Sequence, residues 1–539
     1  MCVIIVSRMG KITKYLNQLI VGNVFDAPEV LETYSTDRSA LKVRPKFVAV
    51  PESTDDIRKL LRFFNQIAAK DIPVSVTVRG SGLSESGADL SSGLVISMEK
   101  LNHLLEIDPR ERLVRVQAGI TLKELNTALS VSGLFVPIGG HDSDTIGGLI
   151  SDNPIDSFCE KYGGIENYVE RLEVILANGE CLQTANLKKY AVAKKAAEKS
   201  LEGDIYRKVS KLLKDDRFLV DELAKQKQGK EGYPTIIDVV RKEKMDLAPL
   251  FFGAQGTLGV ITEVILRAIP LRKRPTRAIA TFKELEPAVK FMNEVREMKP
   301  RELNLCDLRI IQEARESGKN LDGIIRKLED GYVVYVSFDE RGAFQLKRVM
   351  AKKNNFPRNT KFVFESPENR VLINEVENAV PSYLNRLGNS RRVPVLTDFY
   401  LPSRNLASFV KDLEILSKKL DLELPLFGSY NNSIYSLRPM FKLDDPEYTK
   451  KFATFLRAGA YVINRQEGLL AGGAPEGRVK AIVTNTEMLD SKKEFYSKIK
   501  KIFDQNNILN PDVKLGASSK FTLTHLRGLE QTKPVSQSK

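Results

Sequence analysis

A segment of glycine and serine residues, RGSGLSESG at residues 79–87, is the first part of this sequence whose composition suggests chemistry. It lies between two strand-like segments, and its small side chains let a ligand approach the main chain. Successive backbone N–H groups in such a loop form a concave site for an anion such as a diphosphate. An ordinary surface loop is the competing interpretation of the same composition.

Two common phosphate-binding loops do not match this segment. A P-loop requires Lys-Ser or Lys-Thr after its glycines, and neither pair follows here. A dinucleotide loop requires GxGxxG, whereas Glu85 occupies the third glycine position. The chain after Gly87 also enters a strand rather than a helix, so no helix N-terminus follows to hold a pyrophosphate.

Two further glycine clusters favour ligand binding over a simple surface loop. They are GGHDSDTIGGLISDN at residues 139–153 and PLFFGAQGTLGVITEV at residues 249–264, each next to a strand-like segment. Three such loops suit a long, extended cofactor better than a small metabolite.

Together these loops resemble the FAD-binding domain of the vanillyl-alcohol oxidase/p-cresol methylhydroxylase superfamily. The similarity is greatest to its D-lactate, glycolate and D-2-hydroxyglutarate dehydrogenase branch. The family pattern R-G-x-G-x-S-x-x-G is met by Arg79, Gly80, Gly82, Ser84 and Gly87, and T-[IV]-G-G…N by Thr145, Ile146, Gly147, Gly148 and Asn153. KYGGIENYVERLEVILANGE and DLAPLFFGAQGTLGVITE also resemble family segments, the latter with Gln255 where Glu is usual, and ILNP matches a terminal element as far as Pro511.

The resemblance implies an FAD cofactor whose pyrophosphate lies on the first loop. In relatives with covalently attached flavin a histidine often stands in this loop, but here the position is Leu83, so we expect non-covalent FAD. His141 lies elsewhere and is interpreted as a loop residue. The expected cofactor-binding residues are Arg79, Gly80, Ser81, Gly82, Leu83, Ser84, Gly87, Thr145, Gly147, Gly148, Asn153, Gly256, Thr257, Gly259, Val260, Ile261 and Asn510.

The catalytic motifs of that branch are altered in this chain. Relatives hold a metal through an HxGDGxxH-like motif and a later glutamate, and an EHG motif supplies a catalytic histidine. The corresponding segments are FGSYNNSIYSLRP, with Ser429 and Ser436 at the histidine positions, and GLLAGGAPEGR, with Gly473 and Ala474 replacing Glu-His. Serine hydroxyls do not replace imidazoles as ligands of a transition metal, so we expect no metal site.

Three functions remain open. The first is an FAD-dependent oxidoreductase acting on a small hydroxylated or anionic metabolite, other than by a metal-dependent 2-hydroxy-acid reaction. Tyr435, Tyr430 or Glu476 would then accept the proton, and Arg438 or Arg478 would bind the substrate anion. The second is a non-catalytic FAD-binding accessory subunit or pseudoenzyme. The third is a protein whose basic surface binds membrane or nucleic acid.

Composition limits these options. The chain has 539 residues and a net charge of +14, but no aromatic–basic interleaving, so we expect no specific nucleic-acid partner. No apolar run has the length of a membrane span. Its four cysteines form no CxxC pair, and its three histidines lack ligand spacing. We expect a small-molecule substrate, an electron acceptor that the sequence does not identify, and either a homo- or a hetero-oligomer.

The N-terminal residues indicate the expected cellular location. Residues 2–6 form an apolar stretch that is too short for the core of a signal peptide, so a cytoplasmic location is expected, with Met1 or Met9 as the start.

Helix and strand signals define the elements that position these loops. Residues 53–67 predict an amphipathic helix, and capping boxes open helices at Thr121–Glu124 and Ser491–Glu494. Residues 187–230 are interpreted as an exposed helical excursion, and PLRKRPTR as a domain boundary.

The fold class follows as α+β, with two lobes. We expect a PCMH-type FAD-binding domain over residues 1–275 and a cap domain of antiparallel sheet and helices over 276–475. Residues 476–520 would return to the FAD-binding domain, and 521–539 would form a disordered tail. The resemblance implies that the flavin ring lies at the junction of the two lobes.

Overall fold

A computed structural model describes residues 2–225, 229–271, 275–316, 330–339, 356–377 and 390–528, with single positions 321, 344, 347, 351 and 379 between them. The chain divides into two compact units. The first unit contains Met1–Pro154, Ile165–Pro270 and Ala474–Arg527, and the second contains Ile155–Gly164, Leu271–Gly473 and Gly528–Lys539. This division rests on compactness alone, so the functional domain limits expected at residues 275, 475 and 520 remain predictions.

The helices of the described residues are numbered in chain order. They are α1 (Cys2–Leu19), α2 (Pro28–Thr33), α3 (Thr54–Ala68), α4 (Leu122–Ser130), α5 (Ile146–Asp152), α6 (Cys159–Tyr162), α7 (Lys189–Ala196), α8 (Leu201–Asp215), α9 (Arg217–Lys225), α10 (Leu285–Arg296), α11 (Leu308–Glu316), α12 (Arg370–Glu377), α13 (Leu406–Leu420), α14 (Tyr448–Arg465), α15 (Gly477–Glu487), α16 (Asp490–Phe503) and α17 (Ser519–Thr524).

The strands are numbered in the same way. They are β1 (Asn23–Phe25), β2 (Phe47–Val50), β3 (Val76–Arg79), β4 (Leu94–Ser97), β5 (Leu104–Asp108), β6 (Leu113–Gln117), β7 (Leu134–Phe135), β8 (Val169–Ile175), β9 (Cys181–Gln183), β10 (Leu187–Lys188), β11 (Val240–Arg241), β12 (Lys244–Met245), β13 (Val260–Arg267), β14 (Ile269–Pro270), β15 (Thr276–Phe282), β16 (Glu302–Asp307), β17 (Tyr332–Phe338), β18 (Lys361–Phe364), β19 (Ser390–Arg392), β20 (Leu396–Tyr400), β21 (Leu426–Ser429), β22 (Ile434–Leu437) and β23 (Met440–Lys442).

The first unit contains two main sheets. One has the order β1-β2-β4-β3, in which β2, β4 and β3 are parallel and β1 is antiparallel to β2. The other is antiparallel with the order β5-β6-β13-β8-β9. The glycine loop at residues 79–87 connects β3 to β4, as the sequence predicted, so a parallel sheet edge supports it.

Local sequence signals explain the helices next to these sheets. Ser53 caps α3 by accepting a hydrogen bond from the backbone N–H of Asp56, and the apolar face Ile57, Leu60, Leu61 and Phe64 is buried. The capping box Thr121–Glu124 forms as predicted at the start of α4. Burying each such apolar side chain stabilises the fold by about 1.5–3 kcal/mol.

The second unit is built on one antiparallel sheet with the order β18-β15-β17-β16-β21-β22-β20. Helices α11 and α12 supply buried residues to a core that also contains Ile279, Val333 and Tyr335 from the sheet. The α+β class, with antiparallel sheet and helices in the second unit, is therefore confirmed. Among the described residues, no helix has both the length and the apolar character needed to cross a membrane.

Three sequence expectations differ from the structure. The capping box at Ser491–Glu494 is wrong, because α16 already begins at Asp490 and no side chain caps it. The excursion at residues 187–230 is not wholly exposed, because α8 buries Tyr206 and Val209. The disordered tail is wrong for its first residues, which form part of α17, where Ser518 is the cap. Its remainder from residue 529 lies outside the described residues.

Candidate functional site

The loop at residues 79–87 adopts a backbone that requires glycine at two positions. Gly82 and Gly87 have φ angles of +71° and +73°, in the left-handed region that side chains disfavour. The hydroxyls of Ser84 and Ser86 lie 2.8 Å apart and hydrogen-bond across the loop. The loop is thus a compact turn of small residues.

The second loop contacts the first. Thr145 caps α5 by accepting a hydrogen bond of 3.2 Å from the backbone N–H of Gly148. A Cβ atom added to Gly80 would lie 2.2 Å from Oγ1 of Thr145, so only glycine fits there. Gly147 packs as closely on Ala118, where an added Cβ would lie 2.9 Å from the alanine Cβ.

Gln255 of the third loop forms hydrogen bonds with both the first and the second loop. Its side-chain amide donates to Asp152 Oδ1 at 3.0 Å and to Ser86 Oγ at 3.3 Å. Its backbone N–H donates to the carbonyl of Ser151, and that of Gly253 donates to the carbonyl of Ile150. Three glycine loops that are far apart in the sequence therefore lie together in the first unit.

Two features of this loop cluster fit an anionic cofactor. Gly256 has a φ angle of +68°, and a Cβ added there would meet no atom within 4 Å, so its backbone borders open space. Arg79 donates through Nη2 to the carbonyl of Thr36, while its buried Nη1 has no hydrogen-bond partner among the described residues. An open glycine backbone and a cation with an unused donor in the same cluster of loops suit a diphosphate.

Buried carboxyl groups lie near the same arginine. Burial, followed by the neighbouring carboxylate of Asp37, raises the pKa of Asp89 well above its ordinary value, and Arg79 opposes this rise. The positive charge of Arg79 thus lies next to carboxyl groups whose ionised form burial disfavours.

Asn510 has a different role from the predicted cofactor contact. Its amide nitrogen donates to the carbonyls of Ala88 and Gln255 at 2.6 and 2.7 Å. Its amide oxygen accepts hydrogen bonds from Thr77 and Arg478. Because protein groups engage both ends of the side chain, Asn510 ties the C-terminal segment to the first and third loops.

Arg478 is also structural, which corrects its predicted role as a substrate anion site. Its guanidinium is buried and donates to the carbonyls of Leu90 and Pro511 as well as to Asn510. Burial lowers its pKa to about 10, so the group stays protonated at neutral pH and serves these internal acceptors.

Glu476 is not placed to accept a proton from a substrate. Its side chain is fully buried, and Oε2 forms an ion pair of 2.8 Å with Lys514. Oε1 accepts a hydrogen bond from the backbone N–H of Gly232 at 2.8 Å. The predicted base is therefore a buried structural anion.

The other predicted cofactor-binding residues lie in the same three glycine-rich segments. Ser81 is exposed, Leu83 is half-buried, and Asn153 ends α5 in the left-handed conformation. Gly259 packs on Val174, since a Cβ there would lie 2.4 Å from that valine. The remaining three are buried: Thr257, whose hydroxyl donates to the carbonyl of Ala254, and Val260 and Ile261, which pair with Ile175 and Val174 of β8.

In the second unit, the two serines at the family's histidine positions lie on β21 and β22. These strands pair with Ser429 opposite Ile434 and Phe427 opposite Ser436, so the alternation of side chains puts both serines on one face. Ser429 accepts a hydrogen bond from Asn432. Serine hydroxyls therefore line the part of the sheet where the family resemblance places metal-binding histidines.

Asp398 completes this part of the second unit, and sequence analysis did not identify it. It lies at a β-bulge in β20 with a φ angle of +51°. Its backbone N–H donates to Ser436 Oγ at 2.9 Å, and its carboxylate accepts from that hydroxyl at 3.4 Å. An aspartate inside a strand-like segment was the only sequence signal for it.

Gly473 explains why no glutamate is present beside these serines. Its backbone N–H donates to the carbonyl of Asp398 at 2.7 Å. A Cβ added to it would lie 2.8 Å from that carbonyl oxygen and 2.6 Å from a methyl group of Ile434. Any side chain there requires a shift of the backbone.

The two predicted tyrosine bases are unsuited to that role. Burial raises the pKa of Tyr435 far above its ordinary value, and burial also raises the pKa of Tyr430. The hydroxyl of Tyr430 donates to Asn293 at 2.7 Å. Both phenols keep their protons at neutral pH, which does not suit a proton acceptor.

Arg438 is the remaining predicted substrate residue. It is buried, and its guanidinium lies over the ring of Phe427 at 5.3 Å from the ring centre. Its role in binding a substrate anion stays a prediction. Within the part of the chain that the structure describes, no cluster of three or more His, Cys, Asp or Glu side chains is arranged to hold a metal ion.

Comparison with known protein families decides what the loop cluster is. The model described as "FAD binding domain" matches residues 45–185, and the model described as "FAD linked oxidases, C-terminal domain" matches residues 272–513. The chain belongs to the FAD-linked oxidases of the vanillyl-alcohol oxidase/p-cresol methylhydroxylase superfamily. FAD is therefore its cofactor, and Leu83 leaves the first loop without a histidine for covalent attachment.

The relatives of this FAD-linked oxidase fit the hydroxy-acid dehydrogenase branch. The chain is 24% identical to D-2-hydroxyglutarate dehydrogenase of Pantoea ananatis over 88% of this chain and 48% of that protein. It is 25% identical to D-lactate dehydrogenase of Archaeoglobus fulgidus over 89% of this chain and 95% of that protein. The chain thus spans about half the length of the D-2-hydroxyglutarate dehydrogenases that it matches.

Solved structures agree at the level of the fold. The 4-ethylphenol oxidase from Gulosibacter chungangensis, in its isoeugenol complex, superposes with a TM-score of 0.66 at 13% identity. The match covers 92% of this chain and 95% of that one.

Proposed function

We propose that this FAD-linked oxidase is an oxidoreductase that binds FAD non-covalently and oxidises a small hydroxylated, anionic metabolite without a metal ion. The observation that carries the proposal is the meeting of three glycine loops through Gln255, in a cluster that also contains the open backbone of Gly256 and the unused donor of Arg79. The family membership reported above supports the same conclusion.

The residues of the first unit would hold the cofactor. The backbone of residues 79–87 and the guanidinium of Arg79 would bind the pyrophosphate, and Gly256 would let the cofactor approach the main chain. FAD supplies the acceptor for a hydride taken from the donor carbon. The protein must therefore remove the hydroxyl proton by another group.

Asp398 is the group that we propose for this proton. Its carboxylate hydrogen-bonds to Ser436 on β22, at a position where the family resemblance places a metal-binding histidine. The hydrogen bond from Ser436 helps to orient this carboxylate, which suits a base that must meet one hydroxyl. Arg438 would bind the substrate anion, as the sequence predicted.

The residues at three positions explain why the proposed reaction uses no metal ion. Ser429 and Ser436 offer hydroxyls where imidazoles would be needed, and serine is a poor ligand for transition metals. Gly473 has no room for the glutamate that relatives use. The named relatives act on D-2-hydroxyglutarate and D-lactate, so 2-hydroxy acids are still the first donors to test, with and without a chelator.

A second function, a non-catalytic FAD-binding accessory subunit, is favoured by the same loss of imidazoles. It predicts bound flavin that no donor reduces. The two functions share the cofactor and differ only in turnover.

Absorption spectroscopy of the purified protein tests the proposal. Flavin bands that acid denaturation releases into solution would support non-covalent FAD, and bleaching by an anaerobic hydroxy acid or sugar in the presence of a chelator would support metal-free oxidation. A protein that shows no flavin bands after incubation with FAD would contradict the cofactor assignment. Bleaching that requires an added divalent metal would contradict the metal-free reaction.

A further inference from the structure

Gln255 contacts more parts of the loop cluster than any of the residues that the sequence predicted. Its side-chain nitrogen donates to Asp152 and to Ser86, which belong to the second and the first loop. Its side-chain oxygen accepts a hydrogen bond of 3.2 Å from the backbone N–H of Gly477. Its own carbonyl accepts from Asn510 at 2.7 Å. One side chain therefore links two loops and the C-terminal segment to the third loop.

The backbone of Gln255 fixes the direction of this side chain. Its φ angle of +51° lies in the left-handed region, which disfavours residues other than glycine. The side chain is almost fully buried, with 4% exposure. Such a strained and buried position persists only where the surrounding contacts hold it.

Only the contact with Asp152 requires an amide at position 255. Gly477 donates an N–H, and Ser86 carries a hydroxyl that can donate or accept, so a carboxylate at position 255 would satisfy both. Asp152 differs, because its carboxylate oxygen needs a donor. The Glu that is usual at this position in the related sequences would face Asp152 with a second carboxylate.

The surroundings of Asp152 make two carboxylates costly. Burial raises the pKa of Asp152 to about 6, while the hydrogen bond from Gln255 lowers it. The charged groups that face it are Asp89 and Asp144, which raise its pKa further, and Lys514, which lowers it. A second negative charge here would have to share a proton with Asp152.

We propose that Gln255 is a positioning residue for the FAD site, whose neutral amide donates to the ionised carboxylate of Asp152 and so holds the three loops together near and above neutral pH. A glutamate at this position would hold them only while it shares a proton with Asp152. The proposal deepens the proposed function and rests on FAD binding by the first unit.

Four proteins test it: the wild type, Gln255→Glu, Asp152→Asn and the double variant Gln255→Glu/Asp152→Asn. The double variant exchanges the amide and the carboxylate, so it restores one donor and one acceptor with the same net charge as the wild type. The FAD dissociation constant of each is measured by flavin fluorescence from about pH 7 to about pH 9, where Asp152 of the wild type is already largely ionised and a proton shared in Gln255→Glu would be lost. The midpoint of thermal unfolding of each apo-protein is measured over the same range.

We expect the affinity of Gln255→Glu for FAD to fall about tenfold or more as the pH rises, because two ionised carboxylates repel. The other three proteins should change by less than about threefold. A Gln255→Glu protein whose affinity does not depend on pH would overturn the proposal. A double variant that resembles Gln255→Glu rather than the wild type would also overturn it, since a general packing defect would not be repaired by the exchange.

The same experiment distinguishes a failure of the proposed function from a failure of the role proposed for Gln255. If the wild type binds no FAD at any pH, the cofactor assignment fails. The unfolding midpoints of the apo-proteins still report on Gln255, because the midpoint of Gln255→Glu should fall relative to that of the wild type as the pH rises, whereas the other two variants should keep a constant difference from the wild type. A pattern absent from the apo-proteins in that case would overturn the role of Gln255 as well.

Discussion

Nζ of Lys514 lies 2.8 Å from Oε2 of Glu476, and the exposed fractions of these two side chains are 1% and 0%. The second carboxylate oxygen accepts the backbone N–H of Gly232. An ion pair that is buried in this way contributes little net stability when intact, but removing one partner leaves an unpaired buried charge. The pair therefore explains Glu476 as a structural residue.

The variant Glu476→Gln should unfold about 3–5 kcal/mol more easily than the wild type, because Lys514 would keep its charge without a partner. Denaturation in guanidinium chloride measures this difference. The double variant Glu476→Leu/Lys514→Met, which removes both charges, should recover part of the loss. A Glu476→Gln protein of unchanged stability that has lost its turnover would instead support the catalytic role that the sequence suggested.

The open space at Gly256 leads to a prediction about cofactor affinity. Alanine at this position meets no protein atom, so folding should be weakened only by the left-handed backbone, by about 1–2 kcal/mol. If FAD occupies that space, the added methyl group should raise the FAD dissociation constant at least about tenfold, or about 1.4 kcal/mol. Fluorescence titration of the apo-protein with FAD measures this change.

Gly133 provides a matched control. Its φ angle is +67°, close to the +68° of Gly256, and an added Cβ there also meets no atom within 4 Å. It follows the C-terminal end of α4, and its backbone N–H donates to the carbonyl of Ser130 rather than to any of the three loops. Gly133→Ala should therefore lose similar stability and keep the wild-type affinity for FAD. Equal FAD affinities of the two variants would show that no cofactor lies against Gly256.

The sequence predicted the loops well because their geometry is local. Gly82 and Gly87 occupy left-handed positions, and the capping box at Thr121–Glu124 depends on residues within one helical turn. The roles of Asn510 and Arg478 could not be predicted in this way. Thr77 and Asn510, for example, are 433 residues apart and meet only in the folded chain.

Burial weighs against the predicted proton acceptors for a related reason. Tyr430, Tyr435 and Glu476 were chosen by residue type, which does not reveal burial. Desolvation keeps a phenol protonated, and an internal partner occupies a carboxylate. Asp398 carried no motif, because its position depends on a bulge in β20 and on Ser436 of the neighbouring strand.

Stability should depend on pH through Glu231. Burial, and next the charge of Glu476, raise its pKa from 4.5 to about 7. The folded state thus binds a proton more tightly than the unfolded state between these values, so this group lowers the free energy of unfolding as the pH rises from about 4.5 to about 7. The loss should not exceed about 3 kcal/mol.

Glu231→Gln should remove this dependence, because an amide does not titrate. Below pH 4.5 the variant and the wild type should be about equally stable, and above pH 7 the variant should be the more stable protein. Chemical denaturation at a series of pH values measures the difference. Glu222→Gln, at an exposed position on α9, is the control and should follow the wild type throughout. A Glu231→Gln protein that follows the wild type would contradict the assignment.

Asp398→Asn should slow flavin reduction by the donor that bleaches the wild type, because an amide cannot accept the hydroxyl proton. General-base catalysis contributes about 10²–10⁴-fold, so a loss of that size is expected in the rate constant at saturating donor. Anaerobic stopped-flow absorption measures this rate. Asparagine tolerates left-handed backbone as aspartate does, so the unfolding midpoint and FAD affinity should not change.

Asp421 is the matched control, since it has a φ angle of +52° and lies exposed at the end of α13. Asp421→Asn should reduce flavin at the wild-type rate. A second measurement separates a base from a residue that only shapes the site. Asp398→Asn should change the dependence of the rate on pH, whereas the loss of a residue that only shapes the site should leave that dependence as it is in the wild type. A slow variant that keeps the wild-type pH profile would mean that Asp398 positions Ser436 and that another group takes the proton.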